Sequence, residues 1–136
     1  MHVSRVVFAA LAWLFVGLVV LQVFYAGMGL LGGAGMRQHV DFGYFVSGVP
    51  LLVLIAAGAA RAGQLALYSA GLLVITFVQT ALPLLRDDLP FVAALHPVNA
   101  LAIFWLGLFI ARRATTLARQ RVEETTEPVQ ARPTAT

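Results

Sequence analysis

Apolar residues run almost unbroken through four stretches of this chain, 6–31, 40–60, 65–85 and 91–111, and polar residues gather in the gaps between them. A helix rises about 1.5 Å per residue, so about 20 apolar residues cross a hydrocarbon core about 30 Å thick, and each stretch is long enough. Gly32-Gly33-Ala34-Gly35 breaks the first connection, Arg61-Ala62-Gly63 the second and Arg86-Asp87-Asp88-Leu89-Pro90 the third. The pattern predicts an all-α fold, an integral membrane four-helix up-and-down bundle over residues 1–121. Beyond Arg121 the chain is rich in Thr, Glu, Pro and Gln without hydrophobic periodicity, so 122–136 is expected to be a disordered tail. The first apolar run is longer than a signal peptide's core of about 7–15 residues, which predicts a retained helix.

The two halves of the apolar pattern repeat each other. Gln22 precedes His39 by 17 residues and Gln79 precedes His96 by 17, so one offset of 57 superposes both pairs. Under it Leu18-Val19-Val20-Leu21 meets Ile75-Thr76-Phe77-Val78, and Gly43 meets Ala100. Each hairpin thus reads as one copy of a helix–loop–helix unit, and two spans per unit give the copies one orientation, a parallel repeat about an axis along the membrane normal.

Composition agrees: of 136 residues 60% are hydrophobic and 11% charged, with a mean hydropathy of +0.88, well beyond an ordinary soluble domain. All nine basic residues are Arg. The pI near 10.2 does not call for nucleic acid, because most of these charges flank apolar stretches. Alternating the sides of the spans puts Arg5, Arg61, Arg112, Arg113, Arg119 and Arg121 on one face, with only Arg37 and Arg86 on the other. The positive-inside bias predicts a multi-pass protein of the bacterial cytoplasmic membrane with both termini cytoplasmic. The lack of cysteine excludes disulfides, iron–sulfur clusters, thiolate catalysis and covalent haem attachment.

Polar groups inside a bilayer are costly and face the bundle interior, so their placement is the main functional signal. Gln22, Gln79, Thr80, His39, Asp41, His96 and Asn99 all fall in the outer half. Pro90 is expected at the first position of the fourth helix, and Pro97 to kink that helix and help aim His96. In an up-and-down bundle the second and fourth helices are diagonal, so the two imidazoles at matched depth can face each other across the axis. That suits a flat ligand held from both sides: His39 and His96 as axial ligands of a haem iron, with the small residues Gly43, Ser47, Ala100 and Gly107 beside the macrocycle. The Gln22 and Gln79 amides stand ready to orient the imidazoles, Asn99 lies in the same polar cluster, and Arg37 and Arg86 at the outer mouth can pair with haem propionates. Zinc is a weaker expectation, because Asp41 is the one near third ligand.

The phrases Leu21-Gln22-Val23-Phe24-Tyr25-Ala26-Gly27 and His96-Pro97-Val98-Asn99-Ala100-Leu101-Ala102-Ile103-Phe104 resemble an uncharacterised family of small four-span bacterial membrane proteins, largely actinobacterial, over nearly the whole chain except the tail. That resemblance implies the four-span topology and no particular activity. More distantly, one His near the outer start of the second helix and one near that of the fourth is similar to one four-helix half of haem A synthase. The likeness implies haem ligation by His39 and His96. This chain has one bundle where that enzyme has two, and it lacks the acidic residue of the enzyme's first helix, so synthase chemistry is not implied.

Two readings stay open. The first is a b-type cytochrome that carries electrons to or from a quinone or redox protein, with its haem b near the outer face. The second is a non-catalytic accessory protein that binds other membrane proteins through its helix faces and holds no cofactor. An enzyme acting on haem or an isoprenoid lipid is a third class, for which no general acid or base argues; no Ser-His-Asp set can be built.

Overall fold

The computed structural model describes residues 2–32 and 35–126. Four helical segments are long and apolar enough to cross a membrane, His2–Leu30, Met36–Ala59, Gln64–Leu85 and Pro90–Gln120. The first two are the unbroken helices α1 (His2–Leu30) and α2 (Met36–Ala59). The third is α3 (Gln64–Ala81) followed by a 3₁₀ turn, Leu82–Leu85. The fourth begins as a single turn, α4 (Pro90–Ala93), and continues as α5 (His96–Thr126).

Both interruptions have prolines as their cause. Pro83 lacks the N–H that would continue α3, and the chain tightens into the 3₁₀ turn, so the continuous helix expected over 65–85 ends at Ala81. Pro90 sits at the start of α4 as expected. Pro97 produces a break rather than a kink: the chain turns at Ala94 and Leu95, and His96 opens α5. At its far end α5 runs to Thr126, into the segment expected to be a tail, because Leu117, Ala118, Arg119 and Gln120 are strong helix formers that carry the helix past the apolar stretch. The remainder of that tail, 127–136, lies outside the described residues.

The helices pack in a ring, α1 on α2, α2 on α3, α3 on α5 and α5 on α1, which leaves α2 and α5 diagonal. The core is one cluster built from Phe8, Ala12, Phe15, Val16 and Val19 of α1, Val46, Val49, Val53, Ala56 and Ala57 of α2, Leu72 of α3, and Ile103, Ile110, Ala111 and Ala114 of α5. The exterior is as apolar as the interior: Leu14, Val20, Phe24, Leu52, Ile55, Leu67, Val74, Phe77 and Leu101 are all exposed. With lipid outside, burial gives little drive, and association rests on close packing and interhelical hydrogen bonds.

Small residues supply the close packing. A Cβ on Gly107 would stand 3.2 Å from the Phe15 ring, so this glycine is the seat of Phe15 rather than a border for a macrocycle. Gly29 lets the α1–α2 connection fold tightly, since a Cβ there would lie 3.1 Å from Met36 Cε. Across α1 and α5, the Trp13 indole N–H donates to Thr115 Oγ1 (3.0 Å) and Arg5 donates to the Leu117 carbonyl (3.4 Å).

The repeat is visible in the packing. At an offset of 57, Ala12 and Ser69, Phe15 and Leu72, Val19 and Thr76, Val46 and Ile103, Pro50 and Gly107, Val53 and Ile110, and Ala57 and Ala114 are buried in both copies. The fold is an all-α, multi-pass, four-helix bundle of two tandem hairpins.

Candidate functional site

Gln22, His39, Gln79, His96 and Asn99 meet at the end of the bundle opposite Arg5 and Arg113. Gln22 lies on α1 and His39 on the first turn of α2, so they face each other across the first helical hairpin; Gln79 and His96 do the same across the second. In the first hairpin His39 Nδ1 donates to the Gln22 carbonyl at 3.1 Å. In the second, His96 Nδ1 donates to the Gln79 carbonyl, also at 3.1 Å.

A carbonyl oxygen only accepts, so Nδ1 is the protonated nitrogen in both rings and Nε2 is left with its lone pair. The orienting acceptor expected from the Gln amides is thus their backbone carbonyl, and the amides take the other side of the rings. Gln79 Nε2 stands 3.2 Å from His96 Nε2 and Gln22 Nε2 stands 3.5 Å from His39 Nε2. The two imidazoles come together across the bundle, with ring centroids 6.2 Å apart and planes inclined by 77°.

Asn99 lies one turn after His96 and anchors this network to the main chain. Its Nδ2 donates to the Ile75 carbonyl (2.9 Å) and to Gln79 Oε1 (2.8 Å). Ile75 fixes which end of the Asn99 amide is the donor, Asn99 then fixes the Gln79 amide, and Gln79 Nε2 is left to donate to His96. In the first hairpin the Gln22 amide donates to the His39 carbonyl at 2.8 Å. It reaches that carbonyl through a notch at Gly43, where a Cβ would stand 2.6 Å from Gln22 Nε2. Ala100, the register partner of Gly43, is partly buried beside the second site.

The charged residues are not drawn into this cluster. Arg37 pairs with Asp41 at 3.4 Å with side chains 89% and 66% exposed, and Arg86 faces Asp87 at 3.6 Å, also exposed. Such pairs are worth little on their own, and both guanidiniums are free to exchange partners. Among the described residues no three His, Asp or Glu side chains group as metal ligands. Comparison with protein-family models, with curated proteins and with solved structures gives no match.

Two features of the site escaped the reading of the sequence. Main-chain carbonyls at Gln22, His39 and Ile75 carry much of the network, and no side-chain pattern announces a carbonyl. The other is Phe42, which stands at the register position of Asn99; comparing the hairpins three residues past each His, one short of the Gly43 and Ala100 match, would have exposed that mismatch.

Proposed function

We propose that this membrane protein is a small b-type cytochrome of the bacterial cytoplasmic membrane, with both termini cytoplasmic and one haem near the outer face, passing electrons to or from a quinone or redox protein. His39 and His96 would hold the iron; bound haem supplies one-electron chemistry that no side chain here offers.

The observation that carries this reading is the pair of rings 6.2 Å apart. Two imidazoles brought that close from diagonal helices could be offered to one iron held between them. Both rings also have the tautomer that ligation needs: Nδ1–H tied to a carbonyl and the lone pair on Nε2. For Nε2 to serve as a ligand atom, the facing Gln amide must turn away. Arg37 and Arg86, exposed at the same end, suit propionates by charge-assisted hydrogen bonds.

A second reading has its own observation. Gln79 already satisfies His96 Nε2 at 3.2 Å, so the His–Gln pairs can act as pins that close each hairpin without any cofactor. The protein would then be a non-catalytic accessory that binds other membrane proteins. Absorption spectra of the detergent-purified chain, oxidised and reduced, separate the two. The haem reading expects a Soret band that is lost in both His39→Ala and His96→Ala. Colourless protein after haem supplementation, or a His96→Ala variant with an unchanged spectrum, rejects it in favour of the accessory reading.

A further inference from the structure

Under the offset of 57 the two sites share their Gln and their His, and among the positions that differ are two neighbours that act on the Gln amide. Asn99 has Phe42 as its counterpart, and Ala100 has Gly43. In the second hairpin Asn99 holds Gln79 Oε1 at 2.8 Å and leaves the amide nitrogen pointing at His96 Nε2, 3.2 Å away. In the first, Phe42 offers no polar atom and packs edge-on against Tyr25, with ring centroids 5.2 Å apart. The open notch at Gly43 lets the amide nitrogen slide onto the His39 carbonyl at 2.8 Å, so that it stands 3.5 Å from His39 Nε2. Gln22 Oε1 is buried without any partner.

A buried acceptor with no donor disfavours the arrangement that buries it, whereas the chain Ile75–Asn99–Gln79–His96 gives Gln79 Oε1 and both His96 ring nitrogens a partner. We infer that the hairpins hold their imidazoles with unequal firmness: Asn99, acting through Gln79, is a positioning residue that locks His96, and His39 is the ring that turns out of the pair. The Gln22 amide moves with it, since leaving its present place frees an oxygen that has no partner there.

The locking is tested on the haem-free full chain in detergent micelles, with ring nitrogens labelled and each His assigned from its Ala variant. His96 is expected to give one sharp Nδ1–H tautomer and His39 an exchange-averaged pattern. Asn99→Leu should move His96 to the averaged pattern, and the double variant Phe42→Asn, Gly43→Ala should sharpen His39. Two rings equally sharp in the unmodified chain, or a His96 signal indifferent to Asn99→Leu, would overturn the inference. The second variant acts on the other hairpin, so the inference stays open to refutation if Asn99→Leu does not fold.

Discussion

At matched depths the first hairpin buries Ala12, Phe15 and Val19, and the second buries Ser69, Leu72 and Thr76. The polar substitutions leave the packing unchanged because each hydroxyl is satisfied inside its own helix: Ser69 donates to the Leu65 carbonyl and Thr76 to the Leu72 carbonyl, both at 2.8 Å. At the His end the same depth of the repeat carries Phe42 in one copy and Asn99 in the other, and there the difference reaches across to the partner helix. The geometry of a hairpin is set by the register of its buried positions. Polar residues alter it when they bond between helices, and not when they bond within one.

The largest test of that comparison is at Phe15 and Leu72, the matched core positions. Phe15→Ala should cost about 3–5 kcal/mol, because Gly107 has no side chain to move into the space, and Leu72→Ala about 2–5 kcal/mol. Unfolding in mixed micelles measures both, and a larger loss at Leu72 would break the expected order of the two matched positions. Next come the glutamines. Gln79→Leu leaves the Asn99 amide and His96 Nε2 without their partner and is expected to cost about 1–3 kcal/mol, while Gln22→Leu also removes a buried oxygen that had no partner and should cost less. Equal costs in the same unfolding assay would erase the difference drawn between the hairpins. The smallest effect is expected at the exposed ion pairs: Arg37→Gln and Arg86→Gln should leave the unfolding midpoint unchanged at any salt concentration.

Much of the fold was legible because its signals are local. Glycine at 32 and 63, with positive φ of 83° and 54°, stands where the connections turn, as the breaks in the apolar pattern require. The repeat was legible from Gln22, His39, Gln79 and His96 alone, since a shared spacing on shared helices imposes shared depth. Less legible was the partner of each polar atom. Gln22 and Gln79 read alike in the sequence, yet one amide lies on a main-chain carbonyl and the other on an imidazole, and the neighbours that decide this are a missing methyl at Gly43 and an amide at Asn99. Gly107 looked like an open border and is filled by Phe15, a contact between residues 92 positions apart.

The sequence by itself determined that this chain crosses a membrane four times as two related hairpins, because hydropathy and helix breaking are properties of short segments that hold whatever the segments pack against. Tertiary structure alone decided that the two imidazoles meet 6.2 Å apart, that their Nδ1 protons go to glutamine carbonyls, and that Gln79 is held while Gln22 is left with an unpaired oxygen. Hydrogen bonds depend on distances of tenths of an ångström between atoms far apart in the chain, and those distances are fixed only when the helices close on one another.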